Sequence, residues 1–117
     1  MIQANELRRG NILAYNGGGL CEVFAIEGDS VGVIDDIDPT YESLINLHYV
    51  PLTEDILTKC GIYQSLGSPF YRKGKFAVDL LGHCEYKNVT IDAEISYIHT
   101  LQNIYFALTQ QELEIKL

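Results

Sequence analysis

Residues 20–26 read LCEVFAI and lie between two glycine-containing segments, NGGG at 16–19 and EGD at 27–29. The two alternating sets of side chains in this stretch are both largely apolar, which is typical of a strand covered on both faces. Glycine tolerates the positive φ of tight turns, so the flanking segments predict a hairpin on each side. The stretch therefore predicts the central strand of a small antiparallel sheet.

Other segments in the first half of the chain are also typical of strands. Four or five short strands within fifty residues, joined by glycine-containing turns, predict a small SH3-like β-barrel or meander over residues 1–51. Between the third and fourth of these strands we expect an acidic loop over residues 35–42, which contains Pro39. The remaining predicted strands are residues 11–15, 30–34 and 44–50.

The second half, residues 52–117, predicts a helix, antiparallel strands and a C-terminal helix. Thr53 is a good N-cap for a short first helix, and Gly61 lies where glycine commonly ends one. Strands are expected on both sides of Lys73-Gly74 and again toward residue 95, with one face formed by Val89, Ile91, Ala93 and Ile95. The chain is therefore predicted to be an α+β protein in which the two lobes form one compact unit.

The C-terminal helix is predicted over residues 97–109, with Ser96 as its cap. Apolar residues recur there at three- and four-residue spacing, which indicates the face that packs on the core: Ile98, Leu101, Ile104, Tyr105 and Leu108.

The same helix carries a second face, formed by four residues at positions i, i+3, i+4 and i+7. Its imidazole, amide and aromatic side chains leave three interpretations open. The face lines the junction with the strand-rich lobe, forms a surface for a partner or a second copy, or lines a small-ligand cleft. The four residues are His99, Gln102, Asn103 and Phe106.

Charge argues against binding to nucleic acid in general. The 117 residues hold eight Lys and Arg against sixteen Asp and Glu, a net charge of −8 that repels phosphate backbones. Residues 1–52 hold two basic and eight acidic side chains, so the first half is the more acidic. The only basic cluster in the sequence, RKGK at 72–75, is interpreted as a solvated hairpin turn.

Cellular location is predicted from the cysteines and the apolar runs. The sequence has three cysteines, an odd number, and no Cys-x-x-Cys motif. This pattern favours buried reduced thiols over a disulfide framework or a zinc ribbon for Cys21, Cys60 and Cys84. The N-terminus lacks the pattern of a signal peptide, and no apolar run is long enough to cross a membrane. We therefore expect a cytoplasmic protein without membrane contact.

No motif points to a catalytic, cofactor or metal site. The acidic loop lacks the residue order of an EF-hand, and the histidines and cysteines lack zinc-ligand spacing. The chain also lacks the common nucleophile and dinucleotide fingerprints, so we expect no cofactor and favour a protein that is not an enzyme. The carboxylates of the acidic loop belong to Asp35, Asp36, Asp38 and Glu42.

Three phrases together resemble a family of small uncharacterised proteins of Bacteroides-type gut bacteria, their phages and integrated elements. The resemblance implies a bacterial, cytoplasmic protein of prophage or mobile-element origin, and it implies no activity, so no catalytic residue is carried over. Family members often have a glycine near the end of the last helix, where this chain has Gln110-Gln111. The phrases are NELRRGN at 5–11, VPLTE at 50–54 with Leu57 and Gly61, and YIHTLQNIYFALT at 97–109 with Glu112-Leu113.

The functional prediction is a non-enzymatic protein-binding or accessory module whose acidic first lobe attracts a basic partner. The first alternative is an acidic mimic of nucleic acid, in which the carboxylates of the acidic loop occupy the basic groove of a DNA-binding protein. The second alternative is a small-molecule binder or small enzyme that uses a cleft near His99. A homo-oligomer is also compatible with the second helix face.

Overall fold

The first half of the chain forms a five-stranded antiparallel sheet in the computed structural model, which describes residues 2–35, 39–92, 94–113 and 115. Its strand order is β4-β3-β2-β1-β5, so the first four strands form a meander and β5 returns to the free edge of β1. One-turn 3-10 helices lie at Ala4–Glu6 and Leu44–Asn46. The strands are β1 (Ile12–Tyr15), β2 (Leu20–Glu27), β3 (Ser30–Ile34), β4 (Pro39–Ser43) and β5 (Leu47–His48).

The prediction that residues 20–26 form the central strand is confirmed, since β2 pairs with β1 on one side and β3 on the other. The register between β2 and β3 shifts around Phe24, which produces a β-bulge. The Phe24 ring then lies directly over Gly32, where an added Cβ would come within 2.6 Å of the ring. A side chain at position 32 would therefore have to displace the Phe24 ring.

Of the two predicted arrangements of the first half, a barrel or a meander, the described strands form the meander and do not close into a barrel. The outer strands β4 and β5 do not pair with each other, so these strands make an open sheet. The predicted strand at 44–50 is wrong for most of its length, because the Ser43 side chain accepts a hydrogen bond from the Ile45 N–H and starts a 3-10 turn. The predicted acidic loop is partly a strand: Pro39 begins β4 at the sheet edge, where a residue without an N–H is tolerated.

The second half forms another five-stranded antiparallel sheet, in the order β10-β9-β8-β7-β6, together with two α-helices. The strands are β6 (Tyr63–Gln64), β7 (Tyr71–Lys73), β8 (Phe76–Val78), β9 (Cys84–Tyr86) and β10 (Val89–Ile91), and the helices are α1 (Glu54–Lys59) and α2 (Ile98–Thr109). Mixed helix and strand content confirms the α+β class. Neither helix, in the part of the chain that the structure describes, has the length and apolar character needed to span a membrane.

The two helices differ in how well their starts were predicted. Thr53 caps α1 as expected, since its hydroxyl accepts a hydrogen bond from the Ile56 N–H at 3.2 Å. Ser96 does not cap α2: the helix begins at Ile98, and Tyr97 occupies the N-cap position without a side-chain hydrogen bond. Backbone contacts to the first half replace the cap, because the Ile98 N–H donates to the Val50 carbonyl at 2.9 Å.

The C-terminal ends of the predicted strand over 89–95 and of helix α2 can also be compared with the structure. The predicted strand over 89–95 ends at Ile91, and Val89, expected on the buried face, is 62% exposed. Ala93, assigned to the same face, lies outside the described residues. Helix α2 ends at Thr109 as predicted, and Gln110 adopts the left-handed conformation (φ 62°) that glycine commonly takes at this position.

Strand β1 contributes to two apolar clusters. Ile12 packs with the core of the second half, and its neighbour Leu13 packs with the core of the first sheet, because successive side chains of a strand point to opposite faces. The first sheet therefore has one face covered by its own N-terminal segment and part of its other face covered by the second half. The predicted core face of α2 is confirmed: Ile98, Leu101 and Tyr105 are buried, and Ile104 and Leu108 pack against the same cluster.

Candidate functional site

Helix α2 buries the amide of Gln102 against the start of β1. The Gln102 Nε2 donates a hydrogen bond to the Gly10 carbonyl at 2.8 Å, and its Oε1 accepts one from the Ile12 N–H at 2.8 Å. The side chain is only 3% exposed, yet both of its polar ends are satisfied. Gln102 is therefore a fixed connection between the two halves of the chain.

Asn103 and Phe106 extend this connection toward the N-terminal segment. The Asn103 Oδ1 accepts hydrogen bonds from Arg8 Nε at 3.0 Å and Asn11 Nδ2 at 2.8 Å. The Arg8 guanidinium lies 4.6 Å from the centre of the Phe106 ring. We call the Gln102, Asn103, Arg8, Asn11 and Phe106 contacts the amide junction.

His99, one helical turn before Gln102 and Asn103, lies in a different environment. Its imidazole stacks on the Tyr49 ring with 4.6 Å between centroids and 13° between planes, and Tyr49 in turn stacks on Tyr97 at 4.6 Å. The His99 Nε2 lies 3.7 Å from a carboxylate oxygen of Glu6. The Tyr49 hydroxyl donates a hydrogen bond to that same carboxylate oxygen.

The other ring nitrogen of His99 has no partner. Among the described residues, its Nδ1 is the one buried side-chain nitrogen or oxygen without a hydrogen bond. Burial lowers the pKa of His99, and the nearby Glu6 carboxylate opposes that shift only in part. The imidazole is therefore neutral at pH 7, and a proton on Nε2, facing Glu6, leaves Nδ1 with a lone pair that can accept a hydrogen bond.

An open cleft of about 430 Å³ lies against this ring stack. Carboxylates of Glu6 and Glu94 line it, together with the rings of Tyr49, Tyr97 and His99, and no lysine or arginine among the described residues does so. Burial, followed by the Glu6 carboxylate, raises the pKa of Tyr49, so its hydroxyl stays protonated at neutral pH. We call this feature the His99 cleft.

The four residues of the predicted helix face therefore separate into two groups. His99 and Asn103 border the His99 cleft, whereas the Gln102 amide is used inside the protein and the Phe106 ring is stacked against Arg8. The helix face meets both the junction with the strand-rich lobe and a cleft.

The acidic loop is described only in part. Asp36 and Asp38 lie outside the described residues. Asp35 accepts a hydrogen bond from the Tyr15 hydroxyl at 3.2 Å, and Glu42 lies on β4 opposite Val31. Burial, then Cys21 and Asp35, raise the pKa of Tyr15 to about 12, so Tyr15 remains a neutral donor.

The cysteines do not form a reactive site. Cys21, Cys60 and Cys84 are all buried and free, and Cys21 belongs to a different apolar cluster from the other two. Burial raises the pKa of Cys60 to about 12 and that of Cys21 to about 11, which suppresses the nucleophilic thiolate. The described residues contain no group of three or more His, Cys, Asp or Glu side chains placed to hold a metal ion.

His83 and Cys84 are adjacent in the sequence, but their side chains point to different environments. Cys84 opens β9 and points into the core, whereas the His83 ring contacts the Asp79 carboxylate at 3.0 Å. The Asp79 carboxylate also accepts hydrogen bonds from the Leu81 and His83 N–H groups. These hydrogen bonds outweigh the opposing effect of burial and lower the pKa of Asp79, so the carboxylate holds this loop in its charged form.

Sequence reasoning found His99 and missed the residues that surround it. Glu6, Tyr49, Tyr97 and Glu94 come from three separate parts of the chain, and no spacing rule connects them. No protein family model matches the chain, and neither does any curated protein or solved structure. Function is therefore inferred from the chemistry of the cleft.

Proposed function

We propose that the protein is a non-enzymatic binding module that takes a basic side chain of a partner protein, arginine above all, into the His99 cleft. One observation carries this proposal: three stacked rings and two acidic residues line the cleft, and no lysine or arginine of the described residues lines it.

Each wall of the cleft suits a cation. The faces of tyrosine rings attract cations electrostatically, and a planar guanidinium also stacks on them. The Glu6 carboxylate accepts charge-assisted hydrogen bonds, which are about twice as strong as neutral ones.

The charge of the whole chain supports the same class of partner. A net charge of −8 accelerates the approach of basic proteins and opposes that of polyanions. A lone side chain binds weakly, so affinity for a whole partner requires contacts outside the cleft.

The test uses blocked amino acids as probes. N-acetyl-arginine amide, added to the labelled protein, should shift the backbone NMR signals of Tyr49, Tyr97 and His99 with a dissociation constant in the millimolar range, about 4 kcal/mol of binding free energy. N-acetyl-glutamine amide, which has no charge, should leave them unchanged. The Glu6→Gln variant keeps an acceptor for Tyr49 and should weaken arginine binding about fivefold to tenfold.

Glu27→Gln is the matched control, because it removes the same charge from an exposed position outside the cleft. Equal weakening by both variants would mean that general charge attraction explains the binding, and the cleft would lose its assigned role. Signals that shift elsewhere and leave 49, 97 and 99 unchanged would also contradict the proposal.

Other features support the wider assignment as an accessory protein. The strand order β4-β3-β2-β1-β5, with a 3-10 turn before the fifth strand, supports an SH3-like fold for the first half, and folds of this kind host many binding functions. Three buried free thiols support action in a reducing cytoplasm. The family resemblance supports an origin in a bacterial mobile element.

A further inference from the structure

The second sheet brings two hairpin turns to the same end. Its order β10-β9-β8-β7-β6 is antiparallel throughout, so the turn between β7 and β8 lies beside the turn between β9 and β10. A backbone hydrogen bond joins them, from the Lys87 N–H to the Lys75 carbonyl at 3.0 Å. The positions of the two turns are therefore fixed relative to each other.

Basic side chains converge on the cleft between these turns. The cleft has a volume of about 300 Å³ and is lined by Arg72, Gly74, Lys75, Lys87 and Asn88. Three of the chain's eight lysines and arginines thus border one small space, and no carboxylate of a described residue borders it. We call this feature the basic cleft.

The backbone and neighbouring side chains restrict where these charges can go. Lys87 and Asn88 both have positive φ, at 53° and 65°, as the two central residues of a type I′ turn do. The Lys87 ammonium lies 5.4 Å from the centre of the Tyr86 ring, and the Arg72 guanidinium lies 3.9 Å from Glu85. Arg72 is therefore oriented by Glu85, while Lys75 and Lys87 have no ion-pair partner among the described residues.

We propose that the basic cleft binds the phosphate group of a small molecule. Two lysines and an arginine that Glu85 orients surround about 300 Å³, which matches a compact polyvalent anion. A long nucleic acid fits less well, because the rest of a chain with net charge −8 repels an extended row of phosphates. This site is independent of the His99 cleft, since it shares no lining residue with it.

Inorganic pyrophosphate is the probe. Titrated into the labelled wild-type protein at constant ionic strength, it should shift the signals of residues 74, 75, 87 and 88. The double variant Lys75→Gln/Lys87→Gln should weaken binding about tenfold or more. The control Arg9→Gln/Lys59→Gln removes the same total charge outside the cleft and should bind pyrophosphate with nearly the wild-type affinity.

Several outcomes would overturn the proposal. Equal shifts from sodium chloride at the same ionic strength would mean that pyrophosphate acts through nonspecific ionic screening and does not bind in the cleft. Equal weakening by the control variant would assign binding to net charge. Tighter binding of a single-stranded 12-nucleotide DNA than of pyrophosphate, with shifts at the same four residues, would make the cleft a nucleic-acid surface instead. The Glu6→Gln variant should bind pyrophosphate normally, which separates this proposal from that for the His99 cleft.

Discussion

Gln102 and His99 are both polar, both 3% exposed and lie one turn apart on α2, yet the structure uses them differently. The Gln102 amide satisfies two backbone groups at the start of β1 and has no unused polar atom. The His99 imidazole stacks on Tyr49, faces Glu6 and keeps an unpaired nitrogen beside an open cleft.

The difference separates a polar residue that holds the fold from one whose second ring nitrogen the fold leaves unpaired. Buried polar groups in native proteins are nearly always paired, so a fully paired one indicates a structural role. An unpaired one beside a cleft costs stability unless something compensates, and such sites are candidates for function. Mutations in the amide junction should therefore lower the free energy of unfolding more than mutations of His99 do.

The largest effect is expected from Gln102→Ala. This change leaves the Ile12 N–H and the Gly10 carbonyl without their partner, and each buried unpaired group costs about 1–3 kcal/mol. We expect the free energy of unfolding, measured with urea, to fall by about 2–4 kcal/mol. Gln111→Ala, at an exposed amide, should change it by less than about 0.5 kcal/mol. A loss below about 1 kcal/mol for Gln102→Ala would remove the distinction between the two regions.

His99→Phe should have a smaller effect on stability at neutral pH and a clear effect on its pH dependence. The substitution keeps an aromatic ring against Tyr49 and removes the unpaired nitrogen, so we expect the free energy of unfolding to change by less than about 1 kcal/mol. An equally large loss from His99→Phe and Gln102→Ala would show that His99 is as structural as Gln102.

The pH dependence follows from the lowered pKa of His99. As pH falls below about 6.5, the unfolded chain takes up a proton at this position before the folded protein does. The wild type should therefore lose stability as pH falls through that value, until the folded imidazole is protonated as well. His99→Phe should reduce this loss, whereas His48→Gln, at an exposed histidine, should retain it. Equal slopes for wild type and His99→Phe would contradict the buried, neutral imidazole.

The smallest effect is expected at the rim of the amide junction. Arg8 and Glu112 form an ion pair whose side chains are 31% and 51% exposed, and exposed pairs contribute only about 0–1 kcal/mol. Glu112→Gln should lower the free energy of unfolding by less than about 1 kcal/mol, and added salt should reduce the difference further. A loss comparable to that of Gln102→Ala would mean that the exposed ion pair stabilises the junction as much as the buried amide does, which contradicts this account.

Periodicity predicted the elements whose local signals agree with their surroundings. The glycine-bounded strand at 20–26, the Thr53 cap and the apolar face of α2 all follow from spacing and cap chemistry. The errors occur where tertiary contacts replace a local signal. The Val50 carbonyl accepts the hydrogen bond from the Ile98 N–H at the start of α2, where the sequence predicted a cap by Ser96. Ser43 begins a 3-10 turn where an alternating pattern predicted a strand.

The sequence predicted only the part of the site that lies on helix α2. Spacing placed His99, Gln102 and Asn103 on one face, but the opposing groups come from residues 6, 8 and 10–12 and from Tyr49. Those contacts depend on how the first sheet packs on α2, which no pattern within either segment specifies.

The most direct measurement is an NMR titration of the His99 imidazole, with and without saturating N-acetyl-arginine amide. The free protein should show a pKa below the ordinary histidine value of about 6.5. Bound arginine should lower the pKa of His99 further, because the positive guanidinium opposes the formation of a second positive charge on the imidazole beside it. A pKa at or above the ordinary value, or one that arginine amide leaves unchanged at saturation, would contradict the assignment of the His99 cleft as a site for a basic side chain.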